Sequence, residues 1–397
     1  MRVHPREWIG AGVPPGLQSR LGFVNSGAGG FDSHALPPQL CPRRDLSPLR
    51  PGSRNDHALA LRDTITIRKY QPGDEQAILA TFNRVFACDD ANFEARTLEH
   101  WRWLYADNPL GARIVVAVDC ENEVLAQYAG LAVRAKLEGR DTLFCQAVDS
   151  INARSERTGL ARRGLFAACC ESFRDAFGGD GEGKYAFAYG LPVGAPWRIG
   201  TKQLGYQLMR EGLVLDLDLG RAPEASEDFA ADVTVREVER FDAEVDELFA
   251  RVSTEHAAIV VRDASYLNWR FADSPTRRYT LAVAGSKGSA RGLAVYGFGR
   301  FEGVVGGLVC DWLTPSDDVD AARALRAWLL AKARASQASR LLAVFGPESR
   351  EWLDFQHAGF RVRRASHLWA GFSHVRSQPV RWFGRHFYTT LGDTDLV

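Results

Sequence analysis

"WLYADNP", Trp103 to Pro109, returns as "WRFADSP", Trp269 to Pro275, at an offset of 166 residues. Both carry tryptophan, an aromatic two residues on, then Ala-Asp-x-Pro. A second pair flanks them at an offset of 168: "ITIRKYQPGDEQAILATFNRVF" from Ile65 and "VTVREVERFDAEVDELFARV" from Val233. Each member reads as a short alternating strand, a turn and an amphipathic helix. Two matches at nearly one spacing, with a period far too long for a solenoid, predict two tandem domains of one fold.

Each copy continues in the same order. After the tryptophan element come two β-rich runs joined by a polar turn, "RIVVAVDCENEVLAQYAGLAV" and "YTLAVAGSKGSARGLAVYGF", each a predicted hairpin. A strand reaching an aspartate follows, "LFCQAVDSI" with Asp149 and "GGLVCDWL" with Asp311. Next come a helix ("GLFAACCESFRDAF", "VDAARALRAWLLAKARA"), a strand ("YAFAYGLP", "LLAVFGPE") and a short helix ending in Gly-aromatic ("GTKQLGY", "DFQHAGF"). "LVLDLDL" is expected to close the first copy and "FYTTLGD" the second. The predicted class is α/β: two domains, each a mixed, mostly antiparallel sheet flanked by helices, with a helical crossover between two central strands. The expected divisions are an irregular tail over 1–63, a first domain over 64–219, a small, acidic linker over 220–232 and a second domain over 233–397. Residues 1–60 hold eight of the seventeen prolines and show no sustained apolar period, which predicts the tail.

Bulk composition excludes several classes. The 397 residues balance 49 basic against 49 acidic side chains, unlike a dedicated nucleic-acid binder. No apolar run is long enough to span a membrane, and the N-terminus lacks a basic start followed by an apolar run. The seven cysteines show no CxxC or Cys/His spacing, so no metal site is predicted. Cys145, Cys169, Cys170 and Cys310 sit in apolar segments and read as buried thiols of a cytoplasmic protein. "GGDGEGKY", Gly178 to Tyr185, fits GxxxxGK, but a helix precedes it, a strand follows, and a tyrosine replaces the magnesium-binding hydroxyl. It reads as a helix-to-strand connection.

One loop carries chemistry. "RTGLARRGLF", Arg157 to Phe166, is basic, glycine-containing and opens a helix. Unpaired amides and the positive dipole end at a helix start suit an anion, and glycine lets backbone approach it closely. The second copy has "DWLTPSDDVDAARAL" there, with Asp317, Asp318 and Asp320 and no glycine, where an anion would meet like charge. The order of elements, this loop and "FQHAGF" resemble the GNAT family of acyl-CoA-dependent N-acyltransferases over about residues 65 to 397. Arg157 takes the place of that family's loop arginine, and Gly164, Leu165 and Phe166 match the helix start. About four extra residues separate them, and the proline before the arginine is missing. The resemblance implies that Arg157, Thr158, Gly159, Leu160, Arg162, Arg163, Gly164, Leu165 and Phe166 cradle a coenzyme A pyrophosphate. It also implies that Ser150, Ile151 and Asn152 pair with the pantetheine, the second copy lacking such a site.

Acyl transfer to an amine requires a base for the ammonium proton and an acid for the thiolate. Asp149, on the strand before the loop, is the candidate base, or a structural aspartate, since Asp311 takes the same place in the second copy. The acid of many family members, the tyrosine of Y-x-x-x-G-F, is replaced here by Thr201 and Phe355. Tyr189 and Tyr206 are the alternatives, each also readable as packing. The tryptophan element reads as a helix end that in the first copy could border the acceptor pocket. The resemblance implies an enzyme moving an acetyl or other acyl group from acyl-CoA to a primary amine, such as a small-molecule or sugar amine. No metal, nucleic acid or membrane span is expected, and self-association is open. The rival is a non-catalytic acyl-CoA-binding or scaffold protein. A transferase using aminoacyl-tRNA is a third reading, opposed by the neutral charge.

Overall fold

The computed structural model describes residues 65–89, 93–153, 164–179, 181–222 and 233–396. The first copy runs β1 (Thr66–Lys69), α1 (Glu75–Asp89), α2 (Leu98–Trp101), a π-helical turn (Arg102–Ala106), β2 (Arg113–Val118), β3 (Val124–Leu137), β4 (Arg140–Asn152), α3 (Leu165–Phe177), β5 (Tyr185–Gly190), α4 (Gly194–Gln203) and β6 (Gln207–Asp218). The second runs β7 (Val235–Val238), α5 (Ala243–Val252), β8 (Ala258–Val260), α6 (Ala264–Leu267), a second π-helical turn (Asn268–Ala272), β9 (Tyr279–Ser286), β10 (Ser289–Phe301), β11 (Val304–Leu313), α7 (Val319–Ala335), β12 (Arg340–Ala343), α8 (Arg350–His357) and β13 (Arg361–Ser373). After it come α9 (Val380–His386) and β14 (Phe387–Tyr388). None of the described helices is long and apolar enough to cross a membrane.

The repeat extends to turn chemistry. Glu138-Gly139 joins β3 to β4 and Glu302-Gly303 joins β10 to β11, with all four residues at positive φ. Such two-residue turns match the twist of antiparallel strands.

The two copies share one sheet. Its main path among the described residues is β1-β2-β3-β4-β5-β13-β6-β12-β11-β10-β9-β7. Each copy contributes five strands in a row, with a parallel pair (β4–β5 and β11–β12) at the inner end. The closing strands are exchanged: β13 pairs antiparallel with β5 of the first copy, and β6 pairs antiparallel with β12 of the second. They also pair with each other. β8 adds a further tie by pairing with Ala135–Leu137 of β3. The expectation for "FYTTLGD" is corrected. So is that for "LVLDLDL": it lies in β6, which completes the second copy beside β12, while β13 completes the first beside β5; Phe387 and Tyr388 form a two-residue strand beside β8 and the following threonines turn into a buried polar cluster.

Three cores follow from this plan. One lies under α3, around Tyr128, Cys145, Cys169 and Phe173. Another lies under α7, around Trp312, Leu325 and Phe355. The third is shared by both copies. At its centre the repeated tryptophans bond reciprocally: the Trp103 indole N–H donates to the Trp269 carbonyl at 2.7 Å, and the Trp269 N–H to the Trp103 carbonyl at 2.8 Å. The rings stack at 5.9 Å, so the sequence repeat marks a pseudo-twofold axis.

A single-copy fragment loses the strand its partner supplies and exposes the β5 edge, an invitation to aggregate. Residues 64–222 expressed alone should be insoluble or lack cooperative unfolding, whereas co-expression with 223–397 should restore a soluble pair. Circular dichroism melts and sedimentation check this, and a cooperative, monomeric fragment would contradict the exchanged sheet.

Candidate active site

β4 and β5 pair in parallel from Leu143–Tyr185 to Gln146–Tyr189. β5 ends at Gly190, while β4 continues to Asn152. The strands therefore part, and β4 beyond Gln146 loses its neighbour on that side while keeping β3 on the other. A bulge falls in this stretch: Gln127 faces Ile151 and Ala129 faces Val148. Asp149 sits in the bulge at φ 48°, a conformation that aspartate tolerates better than most residues. Bulges of this kind re-aim side chains.

The Asp149 carboxylate is held on the α1–α2 face. Its Oδ2 accepts from Arg96 and, at 2.8 Å, from the Tyr105 hydroxyl. Arg96 is itself placed by two bonds between its backbone and the Asn83 amide, and its guanidinium lies over the Phe82 ring at 4.3 Å. Tyr105 comes from the first π-helical turn, inside the repeated tryptophan element. Burial beside Asp149 pushes the Tyr105 phenol well above its ordinary pKa.

The second copy repeats the ion pair. Arg262 donates through Nε to Asp311 at 3.0 Å and through Nη2 to Asp393 at 2.6 Å. Arg96 and Arg262 stand at the same 166-residue offset as the tryptophans. This repetition favours the structural reading of Asp149. The surroundings differ, however. Phe271 replaces Tyr105, and the C-terminal segment fills the second position. Thr390 donates to Asp311 at 3.0 Å, and Tyr388 donates to the Trp312 carbonyl. Gly392 lies so close that a Cβ there would meet the Cys310 carbonyl and the Phe271 ring, each at 3.0 Å.

The helix starts differ in the same sense. Gly164 caps the start of α3, and among the described residues no side chain bonds the first amides and an added Cβ would meet nothing within 4 Å. At α7, Asp318 caps the amide of Ala321 and is held by Arg291 through two bonds of 2.8 Å. Among the described residues nothing covers the first terminus, whereas the second is closed by its own carboxylate. Of the residues assigned to the phosphate cradle, Gly164, Leu165 and Phe166 stand at the open helix start. Arg157, Thr158, Gly159, Leu160, Arg162 and Arg163 lie outside the described residues. Ser150, Ile151 and Asn152 lie on the unpartnered stretch of β4, where the buried Asn152 Oδ1 and Gln127 Oε1 have no described partner. Unpaired strand and orphaned polar atoms suit a ligand carrying amides of its own.

The tyrosines fall apart. Tyr206 is on the α3 face, where its hydroxyl shares a hydrogen bond with that of Tyr128 and its ring stacks on Phe372. The sheet separates it from Asp149. Tyr189 shares the Asp149 face but is buried between Trp369 and Phe387, its hydroxyl without a hydrogen-bond partner among the described residues. Burial raises both phenols above their ordinary pKa.

Four neighbours escaped the sequence reading: Arg96, His100, Gln146 and Asp395. Gln146 Nε2 donates to Asp395 Oδ1 at 3.0 Å, bringing the C-terminal segment to the mouth of the parted strands. The segment is steadied by Arg270, which donates to the carbonyls of Gly392 and Thr394. Asp395 is open to solvent on one side, but the surrounding protein strips away enough water to raise its pKa, with the Asp149 charge adding to the effect. Burial and the Arg96 charge push His100 down to about 4.

No family model matches the chain, and no curated protein matches it. Solved structures do resemble it. A conserved Enterococcus faecalis protein carrying the description "Probable N-Acyltransferase" aligns at TM-score 0.58 and 14% identity, over 81% of this chain and 74% of that one. A GCN5-related N-acetyltransferase from Anabaena variabilis aligns at 0.55 and 13%, over 78% and 73%. The Saccharomyces cerevisiae N-myristoyltransferase with bound myristoyl-CoA aligns at 0.51 and 10%, over 78% of each chain. The likeness is one of fold: the chain has the GNAT fold, in two tandem copies.

Two tests follow. Arg262→Ala leaves Asp311 and Asp393 buried without their cation and should cost about 3–5 kcal/mol in urea unfolding. Arg96→Ala, at a more accessible pair, should cost less. His100 and His256 both have pKa values near 4 in the folded chain, below the ordinary value near 6.5. The unfolded chain therefore takes up protons first, and stability should fall as pH drops from about 6.5 to 4. Chemical denaturation at stepped pH should show that slope reduced in His256→Gln.

Proposed function

We propose that the first copy binds acyl-CoA at the open start of α3 and along the unpartnered stretch of β4, and transfers the acyl group to a primary amine. The observation that carries this reading is the contrast between copies. Among the described residues the same two features, a helix start and parted strands, are uncovered in the first copy and closed by Asp318 and the C-terminal segment in the second. The bound thioester supplies an activated acyl carbon. Ser150 to Asn152 pair with its amide-bearing arm, and Leu165 and Phe166 offer backbone N–H groups to the pyrophosphate, with Arg157, Arg162 and Arg163 adding charge.

The amine enters from the α1–α2 face. Asp395, with its raised pKa, accepts the ammonium proton. The free amine nitrogen then bonds to the acyl carbon, the carbon–sulfur bond breaks, and the thiolate leaves with the second amine proton. Asp149, tied to Arg96 and Tyr105, positions the bulge and keeps negative charge beside the incoming cation. A base whose pKa is drawn toward neutrality is better matched to this step.

Thiol release with acetyl-CoA and a panel of small amines and amino sugars tests the reading. Asp395→Asn should lower kcat about 10²–10⁴-fold and leave the KM for acetyl-CoA unchanged. Gly164→Glu has room for its side chain, so it should fold normally yet weaken acetyl-CoA binding at least tenfold in calorimetry. Undiminished binding in Gly164→Glu would sink the assignment. A non-catalytic acyl-CoA binder is the second reading, favoured because Tyr189 and Tyr206 are both packed away. Tight acetyl-CoA binding without turnover on any amine would support it.

A further inference from the structure

Asp311 and Asp393 are each 1% exposed, and one fully buried arginine holds both. Arg262 gives its Nε–H to Asp311 Oδ1 at 3.0 Å and an Nη2–H to Asp393 Oδ2 at 2.6 Å. The same two oxygens take further donors. Asp311 Oδ1 accepts from the Trp312 amide at 2.8 Å and the Thr390 hydroxyl at 3.0 Å, and Asp393 Oδ2 from the Thr390 amide at 2.8 Å. The opposite oxygens, Asp311 Oδ2 and Asp393 Oδ1, are buried with no partner among the described residues. Asp311 Oδ2 faces the C-terminal segment: it would lie 3.3 Å from a Cβ built on Gly392, the residue before Asp393.

Two carboxylates against one guanidinium leave a surplus negative charge in the cluster, and each carboxylate leaves one oxygen with nothing to bond. Both are costly away from water. The next arginines are committed elsewhere: Arg210 to Thr389 and the Gly384 carbonyl, Arg270 to the Gly392 and Thr394 carbonyls. The other titratable groups around the pair are neutral. Tyr189 of β5, Tyr266 of α6 and Tyr388 of β14 have phenols raised by burial, and the Cys310 thiol is pushed up to about 12. His256, packed on the Tyr388 ring at 4.4 Å, is lowered to about 4. Glu351 of α8 acts on Tyr388 and is itself raised by burial. Burial, with the Asp311 charge added and Arg262 opposing, raises the Asp393 carboxyl above its ordinary pKa.

We propose that Asp393 keeps a proton on Oδ1 at neutral pH and donates it to Asp311 Oδ2, so that one proton satisfies both orphaned oxygens and cancels the surplus charge. Asp393 Oδ2 is not the proton's place, because it already accepts from Arg262 and Thr390. The pair is then a proton-dependent latch on residues 387–396. The unfolded carboxyl titrates at about 3.9. Between that value and the raised folded one, the folded chain holds the extra proton, so this group's contribution to stability declines as pH rises. The latch rests on the geometry of the second copy and is independent of the acyl-CoA reading.

The test uses the full chain and two readouts. Infrared spectra in light and heavy water at pH 7 should show the C=O stretch of a protonated carboxyl, and Asp393→Asn should remove it. Glu351 and Asp395 can add bands of their own, so the assignment lies in the difference between wild type and variant. The Asn amide repeats both roles of the protonated acid, donating to Asp311 and accepting from Arg262. Asp393→Asn should therefore keep at least the wild-type urea midpoint at pH 7. From about pH 5 to about pH 7 the wild-type midpoint should fall relative to that of the variant, a comparison in which the histidine contributions cancel. Should Asp393→Asn fold poorly, Asp311→Asn, which moves the donor to the other partner, must lose the same band. An unchanged band in the folded variant overturns the latch. So does a spectrum without such a band, which would give the two oxygens to water, or a lowered urea midpoint in both variants.

Discussion

Everything in this molecule hangs on the exchange of β6 and β13. In each copy the parallel pair is completed by a strand from the other, so neither half closes its own sheet. The exchange aligns the two copies about the Trp103–Trp269 axis, where two buried indoles each satisfy a carbonyl of the other. An indole N–H buried without a partner is costly, and here each tryptophan repairs the other's loss. It also brings the chain's last residues back to the first copy. β13 ends against β5, so α9 and β14 must pack across β4 and β5, as the stacking of Phe383 on Phe187 shows. The approach of Asp395 to Gln146 follows from that path.

Much of the fold was legible because its signals are local. The period of "VDAARALRAWLLAKARA" coincides with α7, and the alternation in "YAFAYG" with β5. The repeat was legible because both copies keep the tryptophan element for the same reason, pairing on the axis. The exchange was not, because strand partners at separations above one hundred residues leave no local mark. "FYTTLGD" misled for a physical reason: aromatic and β-branched residues suit a strand, but here Thr390 and Asp393 are drawn to the buried Arg262.

Less of the candidate site could be read locally. Asp149 stood out by its place at a strand end, and the loop before α3 by its charge. Arg96 had a signal that went unused: an arginine seven residues before the repeated tryptophan in each copy, at Arg96 and Arg262. Asp395 had none, since its significance arises from where a terminal segment comes to rest. The tyrosines failed as a pair because side-chain direction in β-structure cannot be read across separate elements. Tyr189 and Tyr206 lie on opposite faces of the sheet, the first in the shared core and the second against the core under α3.

The asymmetry between the copies then has a physical origin in a single segment. Phe387 to Leu396 passes from one ion pair to the other, and it can fill only one of the two positions. It gives Thr390 and Asp393 to Arg262 and Asp311, and Gly392 packs so closely there that a Cβ would crowd Cys310 and Phe271. At the first copy it supplies Asp395 alone, bonded to Gln146 near Asp149. At the second a buried cation meets two carboxylates and a hydroxyl, and such contacts tie together the elements that supply them, although Asp311 Oδ2 and Asp393 Oδ1 have no partner among the described residues. The second copy thus anchors the segment, and that anchoring fixes where Asp395 lies beside Gln146 of β4.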